Sequence, residues 1–220
     1  MERDIVFTPN EYYHIYNRGI NKHNIFLSGG DWKHFQRLLY IRNDANGTIR
    51  PERVKHEPLA NIKIDKPLVN IQAYCLMQNH FHILMSEIEE NGISTFMQKL
   101  GTSYSMYINK KYDRTGSLMC RPFRAKHVNN DSYMRWVISY IHLNPIQAIL
   151  PNWEEQGIYK PATAQKYMRD YKYCSYTDYY HQERDEGVIL NKKSLPFYIS
   201  DLESIKNMFE SFKALSFIPY

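Results

Sequence analysis

Residues 12–17, Tyr-Tyr-His-Ile-Tyr-Asn, are aromatic and β-branched, which predicts a strand that Arg18-Gly19 breaks. Over 31–41 the apolar positions Trp32, Phe35, Leu38 and Leu39 fall at helical spacing, with an Asp cap after Gly29-Gly30. Residues 43–66 are polar and turn-rich and read as an excursion. Residues 68–77 and 80–85 are strand candidates separated by the turn Gln78-Asn79, the pattern of a β-hairpin. A long helix is predicted over 92–112, with Ile93, Phe96, Met97, Leu100, Tyr104 and Tyr107 on one face. A short strand is predicted over 123–128, and a second helix over 131–144 with Met134, Val137, Ile138, Ile141 and Leu143 apolar. Pro145 pushes the preceding residue out of helical space, so Asn144 should sit at the helix end. The order β-α-β-β-α-β plus a helix is the ferredoxin-like arrangement: α+β, an antiparallel sheet with helices mainly on one face. Beyond about residue 150 the chain is tyrosine-rich and irregular, with a helix predicted near 201–215.

At 220 residues with 43% hydrophobic and 23% charged positions, the chain is long and apolar enough to bury a core without disulfides. No apolar run approaches the ~20 residues of a membrane helix, and Met-Glu-Arg-Asp lacks a signal peptide's apolar stretch. Cys75, Cys120 and Cys174 are far apart with no CxxC pair, which argues against a disulfide framework and for a reducing, cytoplasmic setting. The net charge of +5 is uneven: residues 1–150 carry +6 and residues 151–220 carry −1. Within 110–126, Lys110, Lys111, Arg114, Arg121, Arg124 and Lys126 face only Asp113 in opposition. Such a patch suits a polyanion and equally suits a solvated loop.

Two local patterns carry candidate chemistry. In a strand, His80 and His82 point to one face while Phe81 points to the other. Two adjacent imidazoles can chelate one metal ion, or can be polar residues on a solvated face, and the spacing alone leaves both open. Tyr140 and Asn144 are i, i+4 and share a helix face, yet with 19 tyrosines in the chain composition singles out none.

The motifs taken together in order point further. Tyr13-His14-Ile15-Tyr16-Asn17-Arg18-Gly19 is followed by Tyr74-Cys75-Leu76-Met77-Gln78-Asn79-His80-Phe81-His82. Then come Gly116-Ser117-Leu118, Phe123-Arg124 and Tyr140-Ile141-His142-Leu143-Asn144-Pro145. This set resembles the REP-associated tyrosine transposases, within the HUH single-strand nucleases, over about 12–150. Tyr173-Cys174-Ser175-Tyr176 and Tyr179-Tyr180 resemble the family's later aromatic-Ser segment. Gln78 departs from the Pro common in the family, and His142 stands where relatives can carry a second Tyr.

The resemblance implies a catalytic domain over 1–150 and a tyrosine-rich, partly helical extension over 151–220 packed on it. It implies Tyr140 as nucleophile, with His80, His82 and Asn144 holding a divalent metal. The family suggests Mg²⁺ or Mn²⁺; imidazole ligands favour Mn²⁺ in vitro, and cellular abundance favours Mg²⁺. The implied reaction is endonucleolytic strand transfer at single-stranded or hairpin DNA through a 5′-phosphotyrosine. DNA contacts are expected from Arg18, Lys22, Lys110, Lys111, Arg114, Arg121, Arg124 and Lys126, and a homodimer is open. Competing readings are a catalytically silent hairpin-binding regulator, a zinc hydrolase using the His pair, and a structural domain.

Overall fold

The computed structural model describes residues 5–181, 183–195 and 205–213. Four strands form one antiparallel sheet in the order β2-β3-β1-β4: β1 (Tyr12–Arg18), β2 (Val69–Met77), β3 (His80–Glu87) and β4 (Arg124–Val128). The long helices are α1 (Gly29–Ile41), α2 (Gly92–Lys111) and α3 (Asp131–Leu143), followed by α4 (Trp153–Gln156), α5 (Pro161–Asp170), α6 (Tyr176–Tyr180) and α7 (Ile205–Lys213). No helix of the described residues is long and apolar enough to cross a membrane.

The α+β reading holds, and both sheet faces are covered. Phe81, Ile83 and Met85 of β3 join Ile15, Phe35, Phe96 and Leu100 in a core beneath α1 and α2. Ala73, Cys75 and Leu84 join Val137, Ile138 and Ile141 of α3 in a second core on the opposite face. Strands buried on both sides need apolar residues in both phases, which is why β2 and β3 lack clean alternation. A bulge in β2 between Ile71 and Ala73 shifts the phase, so Ile71 and Tyr74 face one core while Ala73 and Cys75 face the other.

The cap of α1 differs from the expectation. Ser28 is the N-cap, and Asp31 is the third residue of a reciprocal capping box. Fully buried Asp31 accepts from the backbone N–H of Leu27 and Ser28, from Tyr107 and Tyr112, and from Lys111 Nζ at 2.6 Å. Burial alone would raise its carboxyl pKa, but the Lys111 ammonium, the Tyr112 hydroxyl and the two amides hold it at about 2. Lys111 therefore ties the C-terminus of α2 to the start of α1. Gly92 opens α2 where a Cβ would lie 2.4 Å from the Leu68 carbonyl oxygen.

The region beyond 150, expected to be irregular, contains short helices because its aromatics bury themselves. Trp153, Ala164, Met168, Cys174, Tyr176, Met208 and Phe212 belong to the core under α3. Residues 173–175 also pair with the outer edge of β2: Leu76 N–H donates to Tyr173 and Ser175 N–H to Tyr74. Arg184 clamps this segment, bidentate to buried Asp178 and donating to the Cys174 carbonyl. The expected C-terminal helix exists as α7; residues 201–204 and 214–215 of that expectation lie outside the described residues.

Candidate active site

β3 and α3 bring the two patterns together. His80 and His82 emerge on the α3 face of the sheet, with ring centroids 5.2 Å apart. The Tyr140 ring meets the His82 ring edge-on at 5.1 Å and that of His14, from β1, at 6.1 Å. Asn144 caps α3, its backbone N–H donating to the Tyr140 carbonyl one turn back. Ile138 and Ile141 turn to the core, leaving Tyr140 and Asn144 on the face toward the histidines. Tyr140 also stacks flat on Trp136, centroids 5.1 Å apart, with Phe212 of α7 behind.

The hydrogen bonds define which atoms are lone pairs. Asn79 donates through Nδ2 to the Lys22 carbonyl, so its Oδ1 faces His80 Nδ1 at 2.6 Å. His80 must then carry its proton on Nδ1 and present a lone pair at Nε2. That lone pair faces Asn144 Oδ1 at 3.4 Å. Asn144 Nδ2 donates to the Tyr140 carbonyl, which orients the amide oxygen toward His80. Two acceptors thus face each other across a gap. Protonating His80 would resolve this, but burial disfavours its charged form, with Arg18 adding to that effect against the Asn144 contact. A cation between Nε2 and Oδ1 resolves it instead, so His80 and Asn144 fit a metal ion. Among the described residues no three His, Cys, Asp or Glu side chains form a metal-holding group, and the side-chain oxygen facing His80 is that of the Asn144 amide.

His82 is held differently: its Nδ1 contacts His14 Nε2 at 2.9 Å. Burial pushes both imidazoles down, His14 to about 3 with help from Lys126, and His82 further lowered by His14 and His80. Both are neutral, so a single proton lies between them. Burial raises the Tyr140 phenol to about 12, opposed by a hydrogen bond from the Asn144 side chain and reinforced by Glu154.

The expected basic residues separate into groups. By register Arg18 pairs with His80, Arg124 with Tyr16 and Lys126 with His14, so these three share the face of the histidines. Lys22 is exposed beside them, its carbonyl anchoring Asn79. The strip 118–120 pairs with Arg18–Ile20 and carries exposed Arg121 round the sheet end. Lys110, Lys111 and Arg114 instead sit at the end of α2, in the layer across the sheet, and Lys111 is engaged by Asp31. Sequence reasoning missed His14, although alternation in the predicted strand 12–17 already places it on one face with Tyr16.

Residues 52–144 match the family model described as IS200-like transposase. That span contains both histidines, Tyr140 and Asn144, and begins after β1. A solved structure of a REP-associated tyrosine transposase bound to a REP hairpin matches this fold with a TM-score of 0.51 at 10% identity, over 80% of this chain and 83% of that one. No curated protein matches the sequence. The α+β fold is thus one found in a tyrosine transposase, and residues 52–144 are similar to the IS200-like transposase family. The resemblance to the tyrosine transposases that the motifs carried is shown by the family match and the shared fold.

Proposed function

We propose that this chain is a transposase-like DNA strand transferase acting on single-stranded or hairpin DNA, with Tyr140 as nucleophile and His80, His82 and Asn144 holding Mg²⁺ or Mn²⁺. The observation that carries it is the pair of opposed acceptors, His80 Nε2 and Asn144 Oδ1, beside the Tyr140 ring within one chain. The hairpin in the related structure supports the choice of substrate. A bound divalent ion would withdraw charge from phosphate oxygens.

In this reading the Tyr140 hydroxyl oxygen bonds to phosphorus as the bond to the 3′ oxygen breaks. The products are a 5′-phosphotyrosine and a 3′ hydroxyl, which receives a proton as Tyr140 loses its own. Attack by a second 3′ hydroxyl reverses the step and joins strands. Trp136 and His82 hold the phenol ring on two sides, which orients it. Arg18, Arg124 and Lys126 line the approach as phosphate contacts, with Lys22 and Arg121 at its ends. In this reading Tyr140 acts in cis, a choice supported by its ring lying against His82 of the same chain. On the same reading the catalytic part falls within 1–150, and the described residues beyond 150 pack on the core under α3.

The test is incubation with a pool of labelled hairpin DNAs and Mn²⁺, read on a denaturing gel. A protein–DNA adduct is expected that disappears with Tyr140→Phe and with chelator. Cleavage surviving in Tyr140→Phe overturns the assignment, and hairpin binding without any adduct favours a regulator.

A further inference from the structure

We propose that His14 is a positioning residue: it accepts the Nδ1 proton of His82 and thereby leaves His82 Nε2 as the ligating nitrogen. This rests on the metal reading above and adds a residue from outside the matched span 52–144.

The argument starts from geometry. His14 Nε2 and His82 Nδ1 are 2.9 Å apart, and the side chains are 3% and 7% exposed. That separation leaves no room for an ion on the Nδ1 side of His82, so the ring can ligate only through Nε2. A ligating Nε2 must be a lone pair, which in a neutral imidazole places the proton on Nδ1. A buried N–H needs an acceptor, and the atom facing it is His14 Nε2. The opposite choice, His14 donating, would put the proton of His82 on Nε2 and disable it as a ligand. His80 shows the same design, with its Nδ1 proton given to Asn79 Oδ1 and its Nε2 left bare. The two histidines are thus set to the same tautomer by two different acceptors.

β-Structure supplies the placement. Tyr16 is the direct partner of His82, and His14 lies two residues along β1 on the same face, within reach of the imidazole. The ring of Tyr16 lies 5.7 Å from His82 and 5.1 Å from His14, and Tyr140 meets both from above. His14 is therefore enclosed on the strand that the motif Tyr-His-Ile-Tyr-Asn builds, and it acts on the metal through His82.

Two measurements test this. In the metal-free protein, ¹⁵N–¹H spectra of the imidazole rings report each tautomer directly. We expect His82 to carry its proton on Nδ1; a proton on Nε2 overturns the proposal without any metal present. Mn²⁺ affinity, read by electron paramagnetic resonance, should fall 10–100-fold in His14→Leu. It should recover to within a few-fold in His14→Gln, whose amide oxygen can accept the same proton. Unchanged affinity and tautomer in a folded His14→Leu, or an equal loss in His14→Gln and His14→Leu, overturns the positioning role. His80→Ala is the control for the metal reading. If it binds Mn²⁺ as the parent does, that reading fails, while the tautomer of His82 still decides the role of His14.

Discussion

The buried carboxylate of Asp31 makes a prediction that can be worked through. It has a folded pKa of about 2 against an ordinary 3.8. At 1.36 kcal/mol per unit the ionised form contributes about 2 kcal/mol to folding at neutral pH. The folded pKa is depressed, so this stability is present above about pH 4 and lost as pH falls through about 2. Asp31→Asn removes the charge and turns one acceptor oxygen into a donor. That NH₂ must face either Lys111 Nζ or the amides of Leu27 and Ser28, donor against donor. The expected cost is about 2–3 kcal/mol. Lys111 is a third exposed, so solvent screening limits its share, and Lys111→Met should cost about 1 kcal/mol. Urea unfolding at pH 7 of both variants, with a pH series for the parent, measures all three. A loss below about 0.5 kcal/mol in Asp31→Asn, or a parent profile flat between pH 4 and 2, would refute the reasoning.

Three further outcomes follow from the site and its surroundings. Arg124→Ala and Lys126→Ala should each lower the slope of log affinity against log salt for single-stranded DNA by about 0.7, whereas Lys111→Met should leave it unchanged; fluorescence anisotropy over a salt series separates them. Gly101 lies inside α2, where an added Cβ would come no closer than 3.9 Å to Met119, so Gly101→Ala should raise stability by about 0.5–1 kcal/mol in the same urea assay. Gly92→Ala should lose more than that gain, because its Cβ meets the backbone oxygen of Leu68.

The sheet and its three main helices were legible because each follows a period. The hairpin of β2 and β3 was visible in two β-prone segments around Gln78-Asn79, and α3 in its apolar spacing and Pro145. The placement of His80 and His82 opposite Phe81 followed from strand alternation alone. What joined them to Tyr140 was not local: periodicity never says which sheet face a helix covers, and α3 crosses to the face away from α1 and α2. The bulge at Gln72 was also hidden, since Val69, Ile71 and Ala73 alternate with Asn70 and Gln72 straight across it. Lys111 looked like one of six equivalent cations in 110–126. Only its distance to Asp31, 80 residues earlier, distinguishes it from Arg124 and Lys126. The Arg184–Asp178 clamp lay in a stretch with no period to read.

The pairing of residues 173–175 with β2 also sets a schedule. Tyr74 and Ser175 are 101 residues apart, and Ser175 donates from both its amide and its hydroxyl to the Tyr74 carbonyl. A ribosome adding about 5–20 residues per second needs about 5–20 s to make the span between them. Through that interval β2 has an open edge, and α3, once made, still lacks Tyr176 and Phe212 to close over it. An unpaired apolar edge is the template on which chains pair with one another. Helix α3 is therefore seated only once most of the chain has emerged, and a nascent chain stalled before residue 175 holds the sheet without the segment that packs α3 against it.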